Sequence, residues 1–364
     1  MEEKERNAEI RLTANENLGT SSERGPSSHI EIEDRPLVTF ALLAYNQERF
    51  IREAVEGAFS QTYSPLEIIL SDDCSQDRTF EIMKEMAETY KGPHKVILNR
   101  NERNLGIGGH INRIMEISHG ELIVTAAGDD ISLPDRTLEF VKKYTSEDKK
   151  PALIFSYATV IDEDGNERGR VERSYNVRPN DFYTLLNGDC HIIGASNCWH
   201  KSVFYTFGPF VVEGLLAEDR VLTARAALIG PIVCVPISLV KYRRGSTNLY
   251  NKVITTPNDL RAHLLRIATL NINTYKQHLH DFQILRDRYN YHCQEAIELI
   301  KRKIDYHTKE ANLLRSDNLH TKVRCVIWAI CKKKPWRIIM RWACLALIPD
   351  FYYRRITRNL VKES

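Results

Sequence analysis

An α/β fold is expected from this sequence: a mainly parallel, Rossmann-type sheet with helices on both faces, followed by a C-terminal helical extension. Three observations point there. Short apolar runs recur at 37–44, 66–71, 95–98 and 122–126. The segments between them, 47–60, 77–90 and 107–118, place apolar residues at spacings of three and four, the period of a helix with one buried face. From Asn258 to about Leu314 the pattern is long and helical with few breakers. Strand, helix, strand in repetition builds a parallel sheet, because parallel neighbours need a long crossover and a helix usually supplies it.

Residues 1–35 are rich in Glu, Asn, Ser and Arg with only scattered Ile and Leu. Such a stretch buries too little apolar surface to offset its ordering entropy, so a disordered N-terminal tail is expected. The first strand follows from Leu37 to Ala44, and Ile51, Ala54, Val55, Ala58 and Phe59 give the first helix its apolar face. Beyond Ser132, the run Ser-Leu-Pro-Asp with Pro134 near the first helical position opens another helix. Residues 152–172 read as a hairpin turning at Asp164, Gly165 and Asn166. Helices are expected at 201–206 and 218–229, with a strand pair near 232–242. The organisation that results is a tail at 1–35, an α/β domain at 36–250, a helical linker or oligomerisation region at 251–320, and a separate basic segment at 321–364.

Composition excludes several classes. With 43% hydrophobic and 27% charged residues, 17 Gly and 13 Pro in 364, the chain is neither collagen-like, nor wholly disordered, nor a disulfide miniprotein. The eight Cys show no CxxC spacing, which argues for reduced thiols and a cytoplasmic setting rather than a zinc site or a disulfide framework. The charged start, Glu2 to Arg6, has no apolar core of a signal peptide. No apolar run approaches the roughly 20 residues that span a bilayer. The net charge of +3 hides an asymmetry: residues 321–364 carry +9, which leaves −6 on residues 1–320. A nucleic-acid-binding domain would spread positive charge through its folded part, so no nucleic-acid partner is expected.

Ligands of parallel sheets sit beyond the carboxyl ends of the strands, so the polar residues there come first. The first strand ends in Ala44, Tyr45, Asn46 and Gln47, the second in Ser71 to Thr79 with Asp72 and Asp73. Acids at such ends can accept bonds from a ribose or a base, while Ser75 and Asp77 can equally cap the next helix. After the fourth strand, Asp129 and Asp130 adjoin. Two neighbouring carboxylates need a cation or strong donors, which suits Mg²⁺ or Mn²⁺ shared with a diphosphate; a solvated turn is the plainer reading. Glu218 and Asp219 open a helix, either to suit its macrodipole or as a general base. Arg243 and Arg244, after the last strand, either clamp a diphosphate or end the strand in solvent. His191, Cys198 and His200 offer no nucleophile dyad. Gly106, Gly108 and Gly109 read as a tight turn before a helix, not as a phosphate loop.

Taken in order, Val38 to Asn46, Ala54 to Tyr63, Glu67 to Thr79, Asn101 to Asn112, Gly120 to Asp130, Glu218 to Gly230 and Tyr242 to Arg244 resemble the family 2 glycosyltransferases of GT-A fold, over about residues 36–245. The resemblance implies an inverting enzyme that moves a sugar from a nucleoside-diphosphate donor, a UDP-sugar, to a saccharide or lipid-linked saccharide acceptor in bacterial surface polysaccharide or lipopolysaccharide assembly. It implies that Ala44, Tyr45, Asn46 and Glu48 line the nucleotide pocket, with Asp73 near base and ribose and Asp72 supporting that loop. It further implies that Asp129 and Asp130 form the metal and nucleotide motif with Mn²⁺ or Mg²⁺, and that Asp219, or else Glu218, activates the acceptor. Members usually carry an acid two residues before Asp129. This chain has Ala127 there, so metal ligation rests on Asp129 and Asp130. That departure motivates the competing reading of a non-catalytic nucleotide-binding or scaffold subunit of a glycan-assembly complex. A sugar nucleotidyltransferase would need a Gly-rich, Arg-containing loop after its first strand, which Tyr45 to Phe50 lacks.

Three of the four Trp, at 328, 336 and 342, lie among the eleven basic residues of 321–364. Trp at a boundary with Lys and Arg on the polar side suits an anionic membrane surface, which would hold a cytoplasmic protein peripherally at the inner face of the cell membrane. Packing on the protein's own core, or a homo-oligomer contact, are the alternatives.

Overall fold

The computed structural model describes residues 35–172, 192–245, 256–332 and 334–347. The expected tail at 1–35, apart from its last residue, lies outside them, as do His191 and residues 348–364. Strands β1 (Val38–Ala44), β2 (Leu66–Asp72), β3 (Lys95–Arg100) and β4 (Leu122–Ala127) form on the four apolar runs. They pair parallel in the order β3-β2-β1-β4. Their crossovers hold α1 (Ile51–Phe59), α2 (Thr79–Thr89) and α3 (Gly106–Ile117). Phe40 and Leu42 of β1 pack with Ile51, Val55 and Met83 on one face; Ala41 and Leu43 pack with Ile111 and Ile114 on the other. Both faces are dry, which is why β1 reads as an unbroken apolar run rather than an alternation.

The second half of the sheet is mixed. After β5 (Ile131–Ser132) and α4 (Arg136–Ser146), β6 (Leu153–Ile161) and β7 (Glu167–Val171) make the expected antiparallel hairpin, with Gly165 at φ +84°. Strand β8 (Asn197–His200) inserts antiparallel between β4 and β6, and β9 (Ile232–Arg243) runs parallel to β6 and antiparallel to β5. The region expected as a strand pair near 232–242 is therefore one strand. Its register slips where Val235 faces Ser156 and Ser238 faces Tyr157, so Pro236 sits in a bulge where its missing N–H costs no ladder bond.

Helices α5 (Ser202–Phe207) and α6 (Glu218–Ile229) cover the sheet beside α3. The long helical pattern resolves into α7 (Pro257–Tyr289) and α8 (Gln294–Arg315). A reciprocal Thr256–Asp259 capping box starts α7, and Asn290 in the left-handed region ends it. Arg225 of α6 joins α7 to the sheet domain: its Nε and Nη2 donate to the two carboxylate oxygens of Asp281 at 2.9 and 2.8 Å. Both side chains are buried. The Gly208 carbonyl accepts from Arg225 as well, Gln277 donates to Asp281, and the rings of Phe204, Phe207 and Phe210 surround the guanidinium.

Helices α9 (Leu319–Cys331) and α10 (Trp336–Leu347) are the last elements among the described residues. Cys325, Ala329, Trp342 and Leu345 pack on Leu260, Leu313 and Leu314. Trp342 is fully buried and stacks on Tyr306 and Trp328. Core packing thus accounts for Trp328 and Trp342, but not for Trp336. Among the described residues no helix is long and apolar enough to cross a membrane, and Cys74, Cys198, Cys234, Cys293, Cys325 and Cys331 are free.

Candidate active site

Parallel pairing brings the carboxyl ends of β1, β2 and β4 to one edge. Ala44 registers with Asp72 and Leu43 with Ala127, and the Asp73 and Gly128 amides donate to the carbonyls of Ala44 and Leu43. The loops after β1 and β2 hold each other. Asn46 takes the left-handed conformation (φ 52°) that Asn tolerates. Its amide donates to Ser75 Oγ at 2.8 Å and its side-chain oxygen accepts the Gln76 amide at 2.8 Å. The Gln47 amide donates to Thr79 Oγ1 and the Glu48 amide to Asp77, while the Glu48 carboxylate accepts the Arg78 amide. Asp77 also accepts from the Thr79 amide in the turn before α2, but the N-cap itself is Arg78 and has no side-chain cap bond, so the capping expected of Ser75 and Asp77 gives way to a bridge between the two loops. Asp72 accepts from the Ser75 amide and hydroxyl, fixing the loop from beneath. Asp73 is buried and spends Oδ1 on Asn101 Nδ2 and the Leu105 amide. Under this loop His110 Nε2 lies 2.7 Å from Ser71 Oγ, and burial pulls the imidazole down to about 4.

The acidic pair is not a solvated turn. Asp130 is 4% exposed, and its Oδ1 accepts the Arg243 amide at 2.7 Å. Its Oδ2 is buried with no hydrogen-bond partner among the described residues, and so is Gln47 Oε1 in the β1 loop. Burial, and then the charge of Asp129, hold the Asp130 carboxyl well above the usual carboxylate range; burial raises Asp129 too. A carboxylate oxygen without a donor, beside a like charge, calls for a proton or a cation. This donor set therefore fits a divalent ion, with the less buried Asp129 able to reach a ligand and Asp130 fixed behind it. Among the described residues no group of three or more His, Cys, Asp or Glu forms an all-protein cage. A Mg²⁺ or Mn²⁺ site built from one or two carboxylates and phosphate oxygens does not require one. Gly128 is needed for the turn's fit: a Cβ there would stand 2.9 Å from Ala44 Cβ and 3.1 Å from Ile51.

Arg243 is 3% exposed, so it is no solvated strand end, and its donors go to the carbonyls of Asp129, Asp162 and Glu163 and to the Glu53 carboxylate. It braces the acidic turn. Arg244 is exposed, with its guanidinium 5.5 Å from the Tyr242 ring centre.

Glu218 and Asp219 begin α6, and a Cβ on Gly194 would lie 3.2 Å from Glu218 and 3.4 Å from Asp219. The Gly194 carbonyl in turn accepts from Thr125 of β4, which ties the start of α6 to the strand that carries the aspartate pair. Burial and the neighbouring Asp219 push the Glu218 carboxyl up to about 8. Tyr242, next to Arg243 near the end of β9, feels both acidic sets. Burial and the negative charges of Asp130, Asp129 and Asp219 push its phenol up, against the pull of Arg244. Reading motifs one at a time does not reveal Gln47 or Tyr242 as site residues; each had the signal of adjoining a strand end. Tyr45 is 45% exposed at the rim. His200 Nδ1 accepts the Ser202 amide and lies 2.7 Å from Ser202 Oγ, and Cys198 is buried in the core.

The sheet order and strand-end acids define a GT-A type of α/β protein. Residues 39–205 match the model of glycosyl transferase family 2. An uncharacterized glycosyltransferase of Methanocaldococcus jannaschii is 36% identical over 135 residues, covering 36% of this chain and 45% of that protein. Another, from Haemophilus influenzae, is 27% identical over 239 residues, covering 60% and 70%. The chain thus spans about half the length of the archaeal relative. The crystal structure of S. aureus TarS 1-349 in complex with UDP-GlcNAc has a TM-score of 0.52 at 13% identity, over 90% of this chain and 92% of that one; this is a likeness of fold.

Proposed function

We propose that this protein is an inverting glycosyltransferase that moves a sugar from a UDP-sugar to a saccharide or lipid-linked saccharide acceptor at the inner face of a bacterial membrane, in surface polysaccharide assembly. The observation that carries this is the tie between the two acidic sets: Asp129 and Asp130 follow β4, and Gly194, whose carbonyl accepts from Thr125 of β4, lies against Glu218 and Asp219 at the start of α6. The family 2 match over 39–205 supports the donor class.

In this reading Ala44, Tyr45, Asn46, Glu48 and Asp73 bound the nucleotide, the clasped loops keeping its pocket in shape before it arrives. Arg244 is the cation free to approach the diphosphate, and Arg243 holds the turn that faces it. A Mn²⁺ or Mg²⁺ ion on Asp129, with Asp130 behind it, would supply a Lewis acid for the charge of the leaving diphosphate. Asp219 accepts the acceptor hydroxyl's proton as that oxygen bonds to the anomeric carbon; the bond to the diphosphate breaks on the opposite face and UDP leaves with its electron pair. Glu218 keeps its proton near neutral pH, which leaves the base role to Asp219.

The test is Asp219→Asn. Donor hydrolysis and transfer in Mn²⁺ are expected to fall by about 10²- to 10⁴-fold, with UDP binding by calorimetry nearly unchanged. Full activity in that variant rejects the assignment of the base.

A further inference from the structure

We infer that the outer side of the α9–α10 pair is a docking surface for an anionic lipid bilayer. The inference deepens the acceptor side of the reading above but rests on surface chemistry alone. Along α9, Leu319, Ile327 and Ile330 are 57%, 52% and 54% exposed; on α10, Trp336 and Met340 are 70% and 52% exposed. With Val323 between them, residues 319, 323, 327 and 330 recur at spacings of four, four and three, one stripe of a helix. Trp336 and Met340 continue at a spacing of four. These are not side chains lacking a core to join: Cys325, Ala329, Trp342 and Leu345 of the same two helices are buried on α7 and α8. Each helix therefore has two apolar faces, and only one is covered by the protein.

Charge decides what covers the other. Arg324 of α9, Lys332 at its C-cap and Arg337 of α10 are exposed and make no ion pair among the described residues. Lys334 and Arg341, by contrast, are engaged inward, on the Tyr306 ring and on Glu310. The sequence from Asn318 to Leu347 has seven Lys and Arg and no Asp or Glu, while residues 1–320 carry −6. A surface of apolar and cationic groups, with a Trp at its edge and acidic bulk behind, complements an interface of acyl chains under anionic headgroups. The rest of the protein is repelled by that interface, which leaves this side facing it.

The full chain is to be sedimented with vesicles of phosphatidylcholine alone and of phosphatidylcholine with phosphatidylglycerol. Binding is expected to the anionic vesicles only, with release at high salt as the charges are screened. Trp336 is the exposed indole among the described Trp residues, so its emission should shift to the blue on binding, and Trp336→Phe should remove the shift while the protein still sediments. The triple variant Arg324→Gln, Lys332→Gln, Arg337→Gln changes only exposed groups and should lower partitioning about a hundredfold, from about fivefold per charge. Equal binding to neutral vesicles, binding to neither, or unchanged binding of the triple variant overturns the inference. So does a lipid-free dimer that buries Trp336, or RNA binding in place of vesicle binding. Transfer activity on a soluble acceptor is expected to be the same in the triple variant, so loss of docking and loss of the glycosyltransferase reading are told apart.

Discussion

Helix α6 carries two charged clusters six residues apart, about 9 Å along its axis, and they are built on opposite plans. At Arg225 each charge is answered: both oxygens of Asp281 are taken, Gly208 and Gln277 complete the network, and aromatic rings close over it. At the helix start the carboxylates crowd instead. Glu218 adjoins Asp219, Asp129 adjoins Asp130 at the end of β4, and one oxygen of Asp130 is buried without a donor among the described residues. The same fold can satisfy buried charge fully, so the want of it at the strand ends is local. Buried polar groups left unpaired beside carboxyls of raised pKa are what a site awaiting a divalent cation or a donor-rich ligand looks like.

Three measurements sharpen or break that contrast. In the crowded cluster, Asp129→Asn should cost the several kcal/mol that a metal-stabilised leaving group contributes, a rate loss of about 10³, with a denaturation midpoint equal to or above that of the parent. In the saturated cluster the effect should fall on stability: Asp281→Ala strands a buried guanidinium and is expected to cost about 3–5 kcal/mol in urea unfolding, while the double change Arg225→Met, Asp281→Leu restores most of it. The smallest effect is a pH dependence. The folded-state pKa of Glu218 is raised from 4.5 to about 8, so the stability it contributes is complete below about 4.5 and is lost as pH rises toward 8. Glu218→Gln should match the parent near pH 5 and exceed it at pH 8, by on the order of 1 kcal/mol or more. A flat difference across that window would show that Glu218 is ionised in the fold and that the crowding is less than inferred.

The sheet was legible where strands are buried on both faces. An apolar run such as Val38 to Ala44 has no other use, and periodicity located the first three crossover helices to within a few residues. The order of acids along the chain likewise gave the strand-end pair and the start of α6. What sequence could not give was direction. Nothing in the letters of Arg243 says that its side chain turns inward to four protein acceptors, since that depends on where Glu53, Asp129 and the 162–163 turn arrive in space. The strand pair expected near 232–242 is one strand with a bulge at Pro236, because the partner strand absorbed the irregularity. Trp328 and Trp342 could not be separated from Trp336 by composition, because which side of α9 and α10 is covered is settled by α7 and α8, elements remote in sequence.

The clasp between the loops after β1 and β2 has a consequence for how such a site can vary. Asn46, Gln47 and Glu48 are seated by Ser75, Thr79 and Asp77, and Glu48 repays one bond to Arg78. Neither stretch keeps its shape when exchanged alone. A chimera that imports the first from a relative must import the second with it, so the two segments, about thirty residues apart, form a single heritable module.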